Sequence, residues 1–346
     1  MKISMITSMI AGAALLAAAT GSAHAEGKLN IYNWAGYTPP DLVEKFQKET
    51  GIEVTLDTYD SNETLLAKLK AGGGGYDIIV AGHVFIDVFA KEGLIQKFNP
   101  KDLPNFHYLD KRFVDPVWDP EGQYSIPYQW GTTSFAVDTA VYDKPIDSYE
   151  TLFNPPPELA GRVGMFKNNT DLMALAELYL GVPFCSEDPA EMQKVLDLLL
   201  KQKPSVKVYT GAAALREQIV SGEIAMASNY NGQTQRARRD KSTVKYIYPK
   251  EGVVAWVDSL AIPADAKNFE NARKFVNFLL DPENAGALSN HAGYANGSIG
   301  SEKFMKPELA DAPELHLPEG IKAVPMKSCS PAANDLEVQI TTQVLQ

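Results

Sequence analysis

An indole and a carboxylate stand two residues apart in the otherwise apolar run Val254-Ala255-Trp256-Val257-Asp258-Ser259-Leu260-Ala261-Ile262-Pro263. Successive side chains of a strand face opposite ways, so Trp256 and Asp258 share one face while Val257 takes the other. Such a pair suits an organic cation. A ring face attracts a cation through its quadrupole, worth about 0.5–2 kcal/mol, and a carboxylate supplies the counter-charge without which a buried ammonium is prohibitively costly. The same residues also fit a plainer arrangement, in which Asp258 caps a turn and Trp256 packs in the core. Taken alone, they leave both readings open.

Other aromatic residues fall where strands end. Trp34 and Tyr37 follow the strand Leu29 to Asn33, Phe85 follows the strand Tyr76 to Val80, Tyr230 follows Glu223 to Ser228, and Tyr294 lies between Gly293 and Ala295. Ligands of open α/β sheets collect at the carboxyl ends of strands, which makes the joint placement more telling than any one ring. Catalytic and metal constellations have no comparable support. His83, His107, His291 and His316 lack metal-ligand spacing, and no Gly-x-Ser-x-Gly elbow is present. The run Gly72 to Gly75 follows a helix and precedes a strand, the wrong order for a phosphate loop, and reads as a helix stop. Hydrolase and metalloenzyme readings are therefore left without positive support. A secreted hydrolase on an α/β scaffold is the reading from another class.

Elements of alternating type must position these residues. Pro39, Pro40 and Asp41 open a helix that Gly51 ends; Ile52 to Tyr59 alternates as a strand; Ser61 and Asn62 offer caps for a helix through Leu69. Past Trp130 the alternation restarts. Strands are expected at Arg162 to Phe166, Val206 to Tyr209, Glu223 to Ser228 and Thr243 to Tyr248, with helices at Thr170 to Leu180, Ala190 to Leu200 and Ala212 to Ile219. This alternation predicts two α/β units, each a mostly parallel sheet with helices on both faces. Trp130 to Ala136 and Gly252 to Trp256 are the natural crossover strands, and the helix Asn271 to Leu280 returns to the first unit.

Lys2, the apolar run Ile6 to Ala19 and Ala23-His24-Ala25 form a secretory leader with a small-x-small cleavage site, and no lipidation cysteine follows. The expected location is the periplasm. The net charge of −11 becomes −12 once Lys2 is removed, a field that disfavours nucleic acid and anionic lipid and steers cations. In an oxidising compartment Cys185 and Cys329 could pair, though cysteines so far apart are nearly as readily buried thiols.

Nearly end to end, the mature chain resembles the periplasmic polyamine-binding proteins of bacterial ABC importers. The resemblance is carried by Tyr32-Asn33-Trp34-Ala35-Gly36-Tyr37, Lys48-Glu49-Thr50-Gly51-Ile52, Ser61-Asn62-Glu63-Thr64, Tyr124-Ser125-Ile126-Pro127-Tyr128-Gln129-Trp130-Gly131, Pro249-Lys250-Glu251-Gly252 and Trp256 to Pro263. It implies a two-lobed α/β periplasmic-binding-protein fold joined by crossover strands, closing by a hinge on its ligand and then presented to an inner-membrane ABC permease. The lobes are expected at 26–132 plus 256–302 and at 133–255 plus 303–346, after a leader at 1–25. The resemblance also implies a binding protein and not an enzyme, with no cofactor and no metal. A monomer is expected. The family's aromatic box falls on Trp34, Tyr37, Tyr230, Trp256 and Tyr294, and its central amine-binding carboxylate on Asp258.

Departures from the family pattern concern the ligand's far ends. Gly36 stands where the family usually carries an acid, Asn168 and Asp171 align with an Asp and a Glu, and His83 and Phe85 replace a Ser and a Tyr. Gln129 is a further candidate. An unpartnered buried charge costs about 3–5 kcal/mol, so a long polyamine bound in the family's usual way lacks counter-charge at one end. The expected ligand is an organic amine: a short diamine, an acylated or glutamylated amine, or an amino-acid-like amine. The alternative is the same scaffold retuned to a zwitterionic or carboxylate-bearing solute.

Overall fold

The computed structural model describes residues 27–346 except Asp60, so the leader lies outside the described residues. The chain begins with β1 (Gly27–Trp34), α1 (Pro40–Thr50), β2 (Ile52–Tyr59), α2 (Asn62–Lys70), β3 (Ile78–Gly82), α3 (His83–Lys91) and β4 (Ile95–Gln96). The long strand β5 (Ser125–Asp138) leads to α4 (Glu150–Phe153), β6 (Val163–Phe166), α5 (Asn169–Leu180), α6 (Pro189–Gln202), β7 (Val206–Thr210), α7 (Ala212–Ser221), β8 (Met226–Tyr230), α8 (Asn231–Asp240) and β9 (Val244–Ile247). A second long strand, β10 (Val253–Pro263), returns the chain to α9 (Phe269–Leu280), α10 (Pro282–Ala292), α11 (Pro307–Ala310), β11 (Ala323–Pro325) and α12 (Pro331–Leu345).

The main sheet runs β2-β1-β3-β10-β5-β8-β6-β7. At its two ends the pairs β1/β2, β1/β3, β6/β7 and β6/β8 are parallel. In the middle, β10 is antiparallel to both β3 and β5, and β5 is antiparallel to β8. The expected two-lobed α/β fold is thus present, with β5 and β10 as crossovers. Both run beyond the expected crossover segments as buried strand, β5 back into the first lobe that it leaves and β10 on into the first lobe that it enters.

Alternation along the strands divides the first lobe into two layers. Ile31, Ile78 and Val80 pack with Phe46 of α1 and Phe275 of α9, whereas Tyr32, Ile79 and Ala81 face Leu65 of α2 and Phe89 of α3. The second lobe has its own core, where Phe135, Phe153, Phe166, Leu175, Leu199 and Met226 meet. Helix ends follow the expected chemistry. Gly51 ends α1 in the left-handed region at φ 68, and the Ser61 side chain accepts from the backbone N–H of Thr64 to cap α2.

Helix α3 was not foreseen, since Gly82 precedes it with no side-chain cap to announce its start. Strand β8 begins at Met226 rather than Glu223, because the left-handed Gly222 ends α7 and a turn is needed before the strand can start. The open question about the cysteines is resolved: Cys185 and Cys329 form a disulfide across 144 residues.

Candidate ligand-binding site

Strand β10 carries the centre of the site. Val257 packs into the first lobe's core while Trp256 joins a separate small cluster with Ala292 and Tyr294, as alternation requires. Asp258 lies on the Trp256 face, opposite Gly82 of β3 and Gln129 of β5. The β5 register slips immediately after Asp258, where the partner becomes Pro127; a proline has no N–H for the ladder and is accommodated at the bulge. Glycines let the rings approach the backbone. A Cβ on Gly131 would stand 2.6 Å from Trp256 Cζ2, and one on Gly232 2.4 Å from the Tyr294 ring.

The turn after β1 delivers Trp34 and Tyr37. It is pinned by Asn33, whose Nδ2 donates to Thr38 Oγ1 at 2.9 Å, and by the 2.8 Å contact of that hydroxyl with the Tyr128 hydroxyl. Gly36 occupies the left-handed region at φ 73 within this turn, a conformation that favours glycine. Tyr37 donates its hydroxyl to Asp258 Oδ2 at 2.8 Å.

From Asp258 the aromatic side chains form a continuous arc. The Tyr37 and Tyr294 centroids lie 5.7 Å apart, Tyr294 and Trp256 5.2 Å, and Trp256 and Tyr230 5.7 Å, the last two pairs edge to face. The arc ends on a second carboxylate. Tyr230 donates to Asp171 Oδ2 at 2.6 Å and Thr133 to Asp171 Oδ1 at 3.1 Å. Asp171 stands in the first turn of α5, where the helix dipole favours negative charge, and the Asn168 side chain caps that helix by accepting from the Asp171 backbone N–H at 2.9 Å.

Two acids thus terminate one aromatic wall, and both are buried, each only 7% exposed. Burial pushes the Asp258 carboxyl up to about 7, with the Tyr37 hydroxyl and the Trp34 indole pulling it back and the charge of Asp171 adding to the rise. Burial also raises Asp171, against the hydrogen bonds of Tyr230 and Thr133, and Glu63 of α2 adds to the rise. Tyr37 and Tyr230 titrate well above the ordinary phenol range through burial and their neighbouring carboxylates, so both remain donors. The two acids make this an electronegative, largely desolvated site.

The other residues singled out from the sequence have different duties. His83 begins α3, its Nδ1 accepting from the Val257 N–H at 3.2 Å and its Nε2 meeting the Met326 carbonyl at 3.2 Å. Both nitrogens are committed to backbone groups, and burial lowers the imidazole's pKa, which keeps the ring neutral. Phe85 packs 5.8 Å from Phe89, and Asn168 spends its side chain on the helix cap. Gln129 Nε2 reaches only the Tyr37 carbonyl, at 3.5 Å, and its Oε1 has no partner among the described residues. Sequence reasoning missed Met326, which packs against the Trp256 and Tyr294 cluster from a segment near the chain's end. It also missed Thr133, whose position on β5 opposite Tyr230 is visible only once the strands are paired.

Residues 41–316 match the model of a family described as bacterial extracellular solute-binding protein. The chain belongs to that family. It is 36% identical to the spermidine/putrescine-binding periplasmic protein of Salmonella typhimurium over 310 residues, covering 89% of this chain and 88% of that protein. It is 35% identical to the putrescine-binding periplasmic protein SpuD of Pseudomonas aeruginosa, covering 85% and 84%. Among solved structures, a putative spermidine/putrescine ABC transporter protein of Listeria monocytogenes superposes with a TM-score of 0.85 at 29% identity, covering 92% of this chain and 99% of that one. The protein is a periplasmic solute-binding protein. Among the described residues no helix is long and apolar enough to cross a membrane.

Proposed function

We propose that this protein is the receptor of an ABC importer and captures a short diamine between its lobes. The observation that carries this reading is the pair of buried acids, Asp258 and Asp171, at the two ends of a single aromatic arc, each hydrogen-bonded by a tyrosine hydroxyl. One ammonium sits at Asp258 and the other at Asp171. The methylenes lie against Trp256, Tyr294 and Tyr230, where each ring near a cationic head adds about 0.5–2 kcal/mol. Gly36 supplies no third carboxylate beside Tyr37, which disfavours a longer triamine. The relatives named for putrescine and for spermidine/putrescine support an amine ligand. The role requires no catalysis and no cofactor; binding and hinge closure suffice.

A second reading has one observation in its favour. The indole N–H of Trp256 is buried and has no acceptor among the described residues. An amine that also carries a carbonyl or carboxylate would supply one.

Thermal melts of the ligand-free protein with putrescine, spermidine, butylamine, N-acetylputrescine and 4-aminobutyrate test both readings. Putrescine is expected to raise Tm most, by an amount that grows with the logarithm of its concentration. A larger shift with N-acetylputrescine or 4-aminobutyrate moves the assignment to the second reading. A shift with none of the five overturns both.

A further inference from the structure

The segment from Lys322 to Ser330 crosses the molecule beside the ligand site, touching in turn the hinge, the first lobe and the second. It starts as β11 in parallel pairing with the beginning of β10, where Val253 N donates to the Lys322 carbonyl at 2.8 Å and Met326 N to the Ala255 carbonyl at 3.0 Å. The Met326 side chain then packs against the Trp256 and Tyr294 cluster, while its carbonyl faces His83 Nε2 of the first lobe at 3.2 Å. Because His83 Nδ1 accepts from the Val257 N–H, the proton of the neutral ring is on Nε2, which donates to that carbonyl. Two residues on, the Ser328 hydroxyl donates to the Val84 carbonyl in the first turn of α3. Cys329 is then bonded to Cys185, in the loop between α5 and α6 of the second lobe, and α12 packs on α5 and α6.

The two ends of this strap therefore have unequal fastenings. Toward the second lobe it is held covalently, and by a helix. Toward the first lobe it is held by two hydrogen bonds, from His83 and to Val84. When the lobes part, the covalent side stays and the hydrogen-bonded side must break. The Cys185 backbone, at φ 64, occupies a region that non-glycine residues seldom adopt.

We propose that the Cys185–Cys329 disulfide is a positioning element for ligand retention: it anchors the strap to the second lobe so that, on closure, Met326 completes the wall of the site and the strap clasps the start of α3. This rests on the diamine reading for its probe but concerns how long the ligand is held rather than which ligand it is. The disulfide closes no contact with the solute. Its effect passes through Met326 and Ser328, and it belongs in the dissociation rate, since the clasp forms only after the solute has entered.

Stopped-flow release of putrescine, followed by intrinsic tryptophan fluorescence, separates this from a merely structural bond. Four proteins are compared: wild type, Cys185→Ser/Cys329→Ser, Ser328→Ala, and the three substitutions combined. Removing the disulfide is expected to speed release about tenfold with association changed less than about twofold, the scale of one or two lost hydrogen bonds. Ser328→Ala, which keeps the disulfide and so guards against a folding defect, is expected to speed release several-fold. The combined variant is expected to release no faster than the cysteine variant, because both act through the same clasp. A lowered Tm with unchanged release, or fully multiplicative effects, overturns the inference while leaving the diamine reading intact. Failure of oxidised wild-type protein to bind putrescine overturns the diamine reading and this inference with it.

Discussion

Asp258→Asn is expected to do two opposite things at once: abolish high-affinity amine binding and stabilise the ligand-free protein at alkaline pH. The substitution keeps an oxygen for the Tyr37 hydroxyl but removes the charge. An ammonium brought into the site without its counter-ion costs about 3–5 kcal/mol, which is two to three decades or more in Kd. The stability effect follows from the direction of the pKa shift. In the fold the Asp258 carboxyl is pushed up to about 7 from an ordinary 3.8. Below about pH 4 both native and unfolded chains carry the proton; as pH rises toward 7 the unfolded chain releases it first, so the native state loses stability across that window. The loss is on the order of 4 kcal/mol above pH 7. Asparagine does not titrate. The Tm advantage of Asp258→Asn should therefore grow from pH 5 to pH 8. Glu177 and Glu337, pushed up to about 9 and about 7 by burial, impose the same downward trend on both proteins and cancel in the difference. The same ionisation governs binding: wild-type putrescine affinity at pH 5 should be about a hundredfold weaker than at pH 8, measured calorimetrically. A variant that binds putrescine normally, or melts lower than wild type at pH 8, contradicts the assignment of Asp258 as the cation's partner.

The companion experiment addresses the other end of the arc. Asp171→Asn leaves one acceptor oxygen where the carboxylate offers separate oxygens to Tyr230 and Thr133, removes the second charge, and is expected to cost putrescine about two decades in affinity. Butylamine, which has the same chain and one ammonium, should lose less than about threefold, since its cation rests at Asp258. The preference of the wild type for putrescine over butylamine therefore nearly disappears in the variant. An equal loss for both amines would mean that Asp171 serves only the α5 terminus, where an acid gains about 0.3–1 kcal/mol from the helix dipole.

Much of this was legible in the sequence. Trp256 and Asp258 could be put on one face from strand periodicity alone, and the structure separates them from Val257 as that periodicity demands. The α/β alternation was readable in part because Gly51 and Ser61 mark helix ends by local chemistry that survives folding. What escaped depends on contacts distant in sequence. Met326 sits in an irregular stretch with no periodicity, and only the pairing of β11 with β10 brings it to the rings. The duties of His83 and Asn168 were equally hidden. Alignment with a ligand position shows where a side chain starts, not whether a backbone N–H or carbonyl reaches it before a solute does. Cys185 and Cys329 are 144 residues apart, a separation that by itself favours neither thiols nor a bond.

The most direct test is a crystal structure of the mature protein grown with putrescine. One amine nitrogen is expected within hydrogen-bonding distance of the Asp258 carboxylate, the other at Asp171, and the four methylenes along Trp256 and Tyr294. Density for putrescine elsewhere, or in this site with Asp258 rotated away from both nitrogens, would contradict the assignment.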